Sequence, residues 1–126
     1  MIRKDPIPEG ELFTAREKID TTILPDDRAA AKRVAGIIAE TIRTNRAQDR
    51  QTVLGLATGH TPIGVYRELI RLHKEEGLDF SSVVTFNLDE YYTMPPDSIQ
   101  SYNRWMHENF FNQVNVPAGN IHIPDG

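Results

Sequence analysis

Cysteine is absent from the 126 residues. Disulfides, thiolate metal ligands and cysteine nucleophiles are therefore excluded. Long apolar runs are missing as well, and none approaches the roughly 20 residues that a membrane-spanning helix needs, so no membrane partner is expected. The basic start Met1-Ile2-Arg3-Lys4 is followed by no apolar stretch. It does not read as a secretory signal, and the cytoplasm is the expected compartment. Dense basic blocks are lacking, and Asp and Glu outnumber Lys and Arg by 18 to 14, for a formal net charge of −4. Nucleic acid is therefore not an expected partner. Neither the G-x-G-x-x-G nor the Walker-type nucleotide motif occurs. No His, Asp or Glu cluster has zinc-type spacing, so neither metal nor cofactor is expected. Internal repeats, low-complexity tracts and interdomain linkers are also missing. What remains, 39% hydrophobic and 25% charged residues, is the composition and length of one ordinary globular domain.

The chain is organised around Val53-Leu54-Gly55-Leu56-Ala57-Thr58-Gly59-His60-Thr61. An apolar run stops at small hydrogen-bonding residues, and a helical pattern begins at Pro62. This order predicts a strand over Thr52–Ala57, a tight loop and a helix N-terminus. Proline suits the first helical position, and Thr61 before it is a natural N-cap. Unpaired amides at a helix start, with the positive end of the macrodipole, favour an anion. Gly59 permits close approach of the backbone, and Thr58 and Thr61 add hydroxyls. A phosphate fits such a loop; the same residues also suit a loop that only turns the chain.

Pro6, Pro8 and Gly10 interrupt residues 1–24, which read as an irregular arm with a short helix or strand near Leu12-Phe13. Residues 25–126 read as one domain. Asp26 or Asp27 starts an amphipathic helix of about 18–20 residues. Its apolar face is expected at Ala30, Val34, Ile37, Ile38 and Ile42, and its charges form a solvated face. The helix from Pro62 runs to Glu76, with Val65, Tyr66, Leu69, Ile70 and His73 on its buried side. Gly77 suits a left-handed C-terminal position. His73 reads as a helix-edge residue rather than a ligand.

Val83–Leu88 predicts a second strand. Both strands are near-continuously apolar, as expected when both faces of a sheet are covered. Two strands joined by a helix form a βαβ unit with parallel strands. Ligands of such sheets bind beyond the strands' carboxyl ends. The Thr58–Thr61 loop and Asp89-Glu90 both lie there. On an extended strand Asp89 and Glu90 point to opposite faces, so only one of them faces a ligand. That carboxylate suits a base removing a proton from carbon, or equally a structural acid capping the next turn.

Ser101 reads as the cap of a helix over Tyr102–Phe111, with Tyr102, Trp105, Met106, Phe110 and Phe111 on its apolar side. Ile121–Ile123 alternates and reads as a short strand. Two strong strands and a weak one leave apolar sheet uncovered. Either another copy of the chain or further polypeptide is expected to cover it.

Three segments together resemble the glucosamine-6-phosphate deaminase family. They are Leu54–Pro62, Val83–Tyr91 and Ser101–Phe111, and the likeness runs from about Gly36 to Gly126. The resemblance implies an α/β, Rossmann-like three-layer fold with a parallel sheet, of the deaminase and ribose-5-phosphate isomerase type and incomplete in this chain. The implied reaction converts glucosamine 6-phosphate and water to fructose 6-phosphate and ammonia. Thr58, Gly59, His60 and Thr61 would hold the phosphate of this small-molecule substrate. Asp89 matches the general base that moves a proton between C2 and C1. Glu90 would support the site, and Tyr102 would border it. A homo-oligomer is expected.

His60 stands where the family commonly has Gly or Ser. The family's ring-opening histidine and further basic phosphate ligands belong to a segment beyond Gly126, and neither His107 nor His122 sits in that motif. The chain is thus expected to be roughly the N-terminal half of an enzyme and inactive alone. The alternatives are a non-catalytic sugar-phosphate-binding regulator and a 6-phosphogluconolactonase-like hydrolase. The lactonases tend to carry Arg after the Asp-Glu pair, where this chain has Tyr91.

Overall fold

The computed structural model describes the backbone of Leu12–Phe13 and residues 18–126; the rest of the arm expected over residues 1–24 lies outside the described residues. Strand β1 (Leu12–Phe13) pairs antiparallel with β2 (Thr21–Thr22). Helix α1 (Asp27–Ala47) follows, then β3 (Thr52–Leu56), α2 (His60–Glu76), β4 (Val83–Asn87), α3 (Tyr102–Asn109) and β5 (Ile121–His122). The main sheet has the order β3-β4-β5, and every pairing in it is parallel. In register, Leu56 lies opposite Asn87, so β3 and β4 end side by side.

Local chemistry explains the helix limits. The Asp26 carboxylate accepts from the Ala29 amide at 2.7 Å and starts α1. Gly77 ends α2 in the left-handed conformation, φ 69°, which costs glycine little. His73 Nδ1 lies 2.7 Å from the Leu78 carbonyl, so that ring finishes the helix end. The Ser101 hydroxyl accepts from the Arg104 amide and starts α3. Phe80, Leu69, Met106 and Phe110 are fully buried in the core. Burying side chains of this size contributes about 1.5–3 kcal/mol each.

Helix α2 begins two residues earlier than the sequence predicts. Its N-cap is Gly59, at φ 103°, and Thr61 lies inside the first turn with no side-chain cap at this end. Such a φ removes the chain from the strand direction at once, which only glycine does cheaply. Pro62 becomes the third helical residue. Its missing N–H still costs nothing, because the first four amides of a helix have no internal partner.

The buried stripe of α1 also differs. Ala35, Ala39 and Ile42 are buried and Ile38 packs beside them, whereas Val34 and Ile37 are exposed. The reason is the close crossing of α1 on α2: a Cβ added to Gly64 would lie 3.0 Å from Ala31 Cβ. Alanines permit that approach where larger residues do not. The aliphatic stripe Val34-Ile37 is left on the far side.

The expectation that both faces of the sheet are covered fails for this chain. Thr52, Leu56, Val83, Thr85 and Asn87 are buried beneath the helices, while Val53 on the opposite face is 63% exposed and Phe86 49% exposed. The fold class is the α/β one expected, Rossmann-like with a parallel sheet, and only part of its layering is present. Among the described residues no helix is long and apolar enough to cross a membrane.

Candidate functional site

The carboxyl ends of β3 and β4 release two loops from the same edge of the sheet. The first, Ala57-Thr58-Gly59, is pinned from below. The Tyr66 hydroxyl accepts from the Ala57 amide at 3.2 Å and donates to the Ala57 carbonyl. Burial pushes the Tyr66 phenol up to about 12 against the lowering effect of the Ala57 hydrogen bond, so it stays a neutral tether at any physiological pH. Tyr66 is one of the predicted core residues; its second role, as an anchor for the loop, has no signature in periodicity. Above this anchor the amides of Gly59, His60 and Thr61 open α2, the orphan donors of an uncapped helix. Replacing Gly59 by alanine is expected to strain the turn by roughly 1–3 kcal/mol. Phosphate-dependent amide shifts at Thr58–Thr61 should weaken with it, as a titration followed by nuclear magnetic resonance would show.

The second loop separates the two acids more sharply than the strand argument foresaw. β4 ends at Asn87, so Asp89 and Glu90 lie in loop and strand alternation does not apply. Glu90 turns inward. Its carboxylate accepts from the Ser101 hydroxyl at 2.8 Å, from the Tyr102 and Asn103 amides at 3.0 Å each, and from the Tyr91 amide at 2.9 Å. Burial pushes its carboxyl up, and these donors together outweigh burial and hold it below the usual carboxylate value. Glu90 thus binds the start of α3 to the β4 loop, and its acceptor capacity is spent on the protein. Asp89 is exposed and caps no helix among the described residues.

Tyr102, the first residue of α3, is bound to the second loop. Its phenol hydrogen-bonds the Tyr91 phenol at 3.1 Å, with ring centroids 4.8 Å apart. The Tyr91 hydrogen bond chiefly raises the Tyr102 phenol; burial and the charges of Tyr91 and Asp89 add to this, and the Thr58 hydroxyl opposes it. Tyr91 was not foreseen as part of this cluster; its only sequence signal was adjacency to the acid pair.

His60 and Thr61 go elsewhere. With Gly64 they line an open groove of about 980 Å³ between α1 and α2, together with Arg28, Lys32 and Arg67. The residues named from the sequence thus divide. Thr58 and Asp89 lie in the loops beyond the ends of β3 and β4, Glu90 is hydrogen-bonded to the start of α3, Gly59 caps α2, and His60 and Thr61 line the neighbouring groove. Among the described residues no three His, Asp or Glu side chains converge as a metal cluster.

Comparison with known proteins gives a consistent result. The family model described as glucosamine-6-phosphate isomerases/6-phosphogluconolactonase matches residues 25–126. A glucosamine-6-phosphate deaminase from Halothermothrix orenii is 60% identical over 75 residues, which are 60% of this chain and 31% of that protein. A solved glucosamine-6-phosphate deaminase, described as monomeric, superposes with a TM-score of 0.75 at 40% identity, covering 80% of this chain and 40% of its own. A 6-phosphogluconolactonase from Thermotoga maritima superposes with a TM-score of 0.54 at 32% identity, covering 72% of this chain and 41% of its own. The chain spans about a third of the length of the curated relatives it matches.

Proposed function

The chain belongs to the family of glucosamine-6-phosphate isomerases and 6-phosphogluconolactonases, and on that premise we propose that it forms the phosphate-loop and base-bearing part of an amino-sugar phosphate deaminase. The carrying observation is that β3 and β4 are parallel neighbours with Leu56 opposite Asn87, so the Thr58–Thr61 loop and Asp89 leave the sheet side by side. A phosphate against the Gly59–Thr61 amides would leave the sugar extending toward Asp89. In this reading Asp89 takes the C2 proton of the opened sugar and returns it at C1. Water then replaces the amino group, giving fructose 6-phosphate and ammonia. Thr58 and the helix amides hold the phosphate, and Tyr102 borders the sugar. Glu90 acts as a positioning residue, because its oxygens are engaged by Tyr91, Ser101, Tyr102 and Asn103.

Ring opening has no residue assigned to it in this chain, and we propose that the 126 residues alone do not turn over substrate. Among the solved relatives, the deaminase is described as monomeric. We read the open sheet face at Val53 and Phe86 as covered by further polypeptide or by a second copy of the chain, and a homo-oligomer remains part of the proposal. The sugar phosphate is the proposed partner, and a cytoplasmic location is part of the same proposal.

The lactonase reading rests on the shared family and on the Thermotoga maritima structure. Tyr91 in place of Arg after the acid pair argues against it. The test is a paired assay on a protein of the relatives' full length carrying this segment. Ammonia and fructose 6-phosphate released from glucosamine 6-phosphate are expected. Hydrolysis of 6-phosphogluconolactone without deamination would overturn the proposal, and binding without either product would favour a regulator. The 126-residue chain is expected to release no ammonia in the same assay.

A further inference from the structure

We propose that the groove between α1 and α2 is a second anion site, shaped for a small organic phosphate and separate from the loop that holds Asp89. Its floor is the tight helix crossing, where Gly64 and Ala31 bring the two backbones together. Arg28 and Lys32, one helical turn apart, form the α1 wall, and Arg67 stands on the α2 wall. Among the described residues none of these three is ion-paired. The groove also holds Asp27, and it holds Arg71, whose guanidinium is already shared by Glu68, Glu75 and Glu76. Glu68, the other acid lining the groove, is bound at 2.7 and 3.0 Å by Arg71. Its carboxyl is held low, chiefly by that hydrogen bond, and the charges of Lys32 and Arg28 reach it as well.

Among the described residues, three cations thus line the recess without an ion pair, beside the acids Asp27 and Glu68, on a chain whose formal net charge is −4. A cleft whose lining carries an excess of one sign of charge focuses field and concentrates counter-ions. Guanidinium forks from opposite walls match phosphate oxygens better than a point charge does. About 980 Å³ exceeds what a lone phosphate fills and lies within the range of small-molecule sites, so the ligand class is a phosphate ester rather than a bare ion. His60 and Thr61 form the end of the groove nearest the α2 N-terminus. Occupancy would therefore be felt at the phosphate loop, which gives the site a regulatory character.

Inorganic pyrophosphate is the probe, titrated at low salt into the chain and followed by amide nuclear magnetic resonance. Shifts are expected at Arg28–Lys32 and Gly64–Arg67. The double substitution Arg28→Ala with Lys32→Ala should weaken these shifts by roughly tenfold or more while leaving those at Thr58 and Gly59 in place. Arg67→Gln, on the opposite wall, should act in the same direction. Gly59→Ala should do the converse, so failure of the loop site and failure of the groove site are separately visible. All three cations are exposed, and an unchanged melting temperature would certify folding. Shifts confined to Thr58–Thr61, or groove shifts indifferent to both sets of substitutions, would overturn the proposal.

Discussion

Replacing Asp89 by asparagine is expected to lower turnover of glucosamine 6-phosphate by roughly a hundred- to ten-thousand-fold, the usual contribution of a positioned general base. The measurement is kcat in a protein of the relatives' full length carrying this segment. Binding of the sugar phosphate should change little, because the phosphate is held by the α2 amides and not by the carboxylate. The expectation rests on the division of labour between two adjacent acids. A carboxylate beyond a strand end is commonly a cap, and here the capping is done by Glu90, with four donors on its oxygens. Asp89 is left exposed in the loop beyond β4. A loss confined to kcat would identify a group acting in the transition state, whereas a rise in KM alone would identify uniform binding. Turnover within about threefold of the parent would remove Asp89 from the chemistry.

The βαβ core was legible because its signals are local and redundant. The apolar runs at Thr52–Leu56 and Val83–Asn87, the glycine at position 77 and the cap at Ser101 each follow from backbone sterics or from a single hydrogen bond. The α1 face was misread for a physical reason. Apolar periodicity weights Val34 and Ile37 above alanine, yet the crossing at Ala31 and Gly64 rewards small size over transfer energy. The uncovered sheet face has the same character: an apolar strand reports the surroundings of the complete fold, not those present in 126 residues. At the site, residue types identified the loop and the acid pair, but not which acid faces outward. That choice is made by the start of α3, whose Ser101 hydroxyl and Tyr102 and Asn103 amides claim Glu90 from eleven to thirteen positions away. The paths of His60 and Thr61 into the groove likewise depend on where α2 begins, two residues from its sequence-predicted start.

Glu90→Ala should be the most damaging single change to the site's architecture, at about 2–3 kcal/mol, through loss of a charged cap and exposure of unpaired amides at the start of α3. Chemical denaturation of the chain measures this as a lowered midpoint at unchanged slope. The sign of the pH dependence follows from the lowered carboxyl of the folded state. Above the unfolded glutamate value, about 4.3, both states are ionised and the stabilisation is fully present. Below it the unfolded chain binds the proton first, and stability is lost as the pH falls through the lower folded value. Glu90→Gln keeps most of the shape and has no such titration. Its stability should therefore lie below the parent's near neutrality, with the gap closing in acid. Because Tyr91 and Tyr102 are both donors to Glu90, the substitution should also loosen the phenol pair beside Asp89. In the full-length protein kcat should then fall. A Glu90→Gln protein that kept the parent's acid-dependent stability loss would place the titrating group elsewhere and leave the cap as a neutral contact.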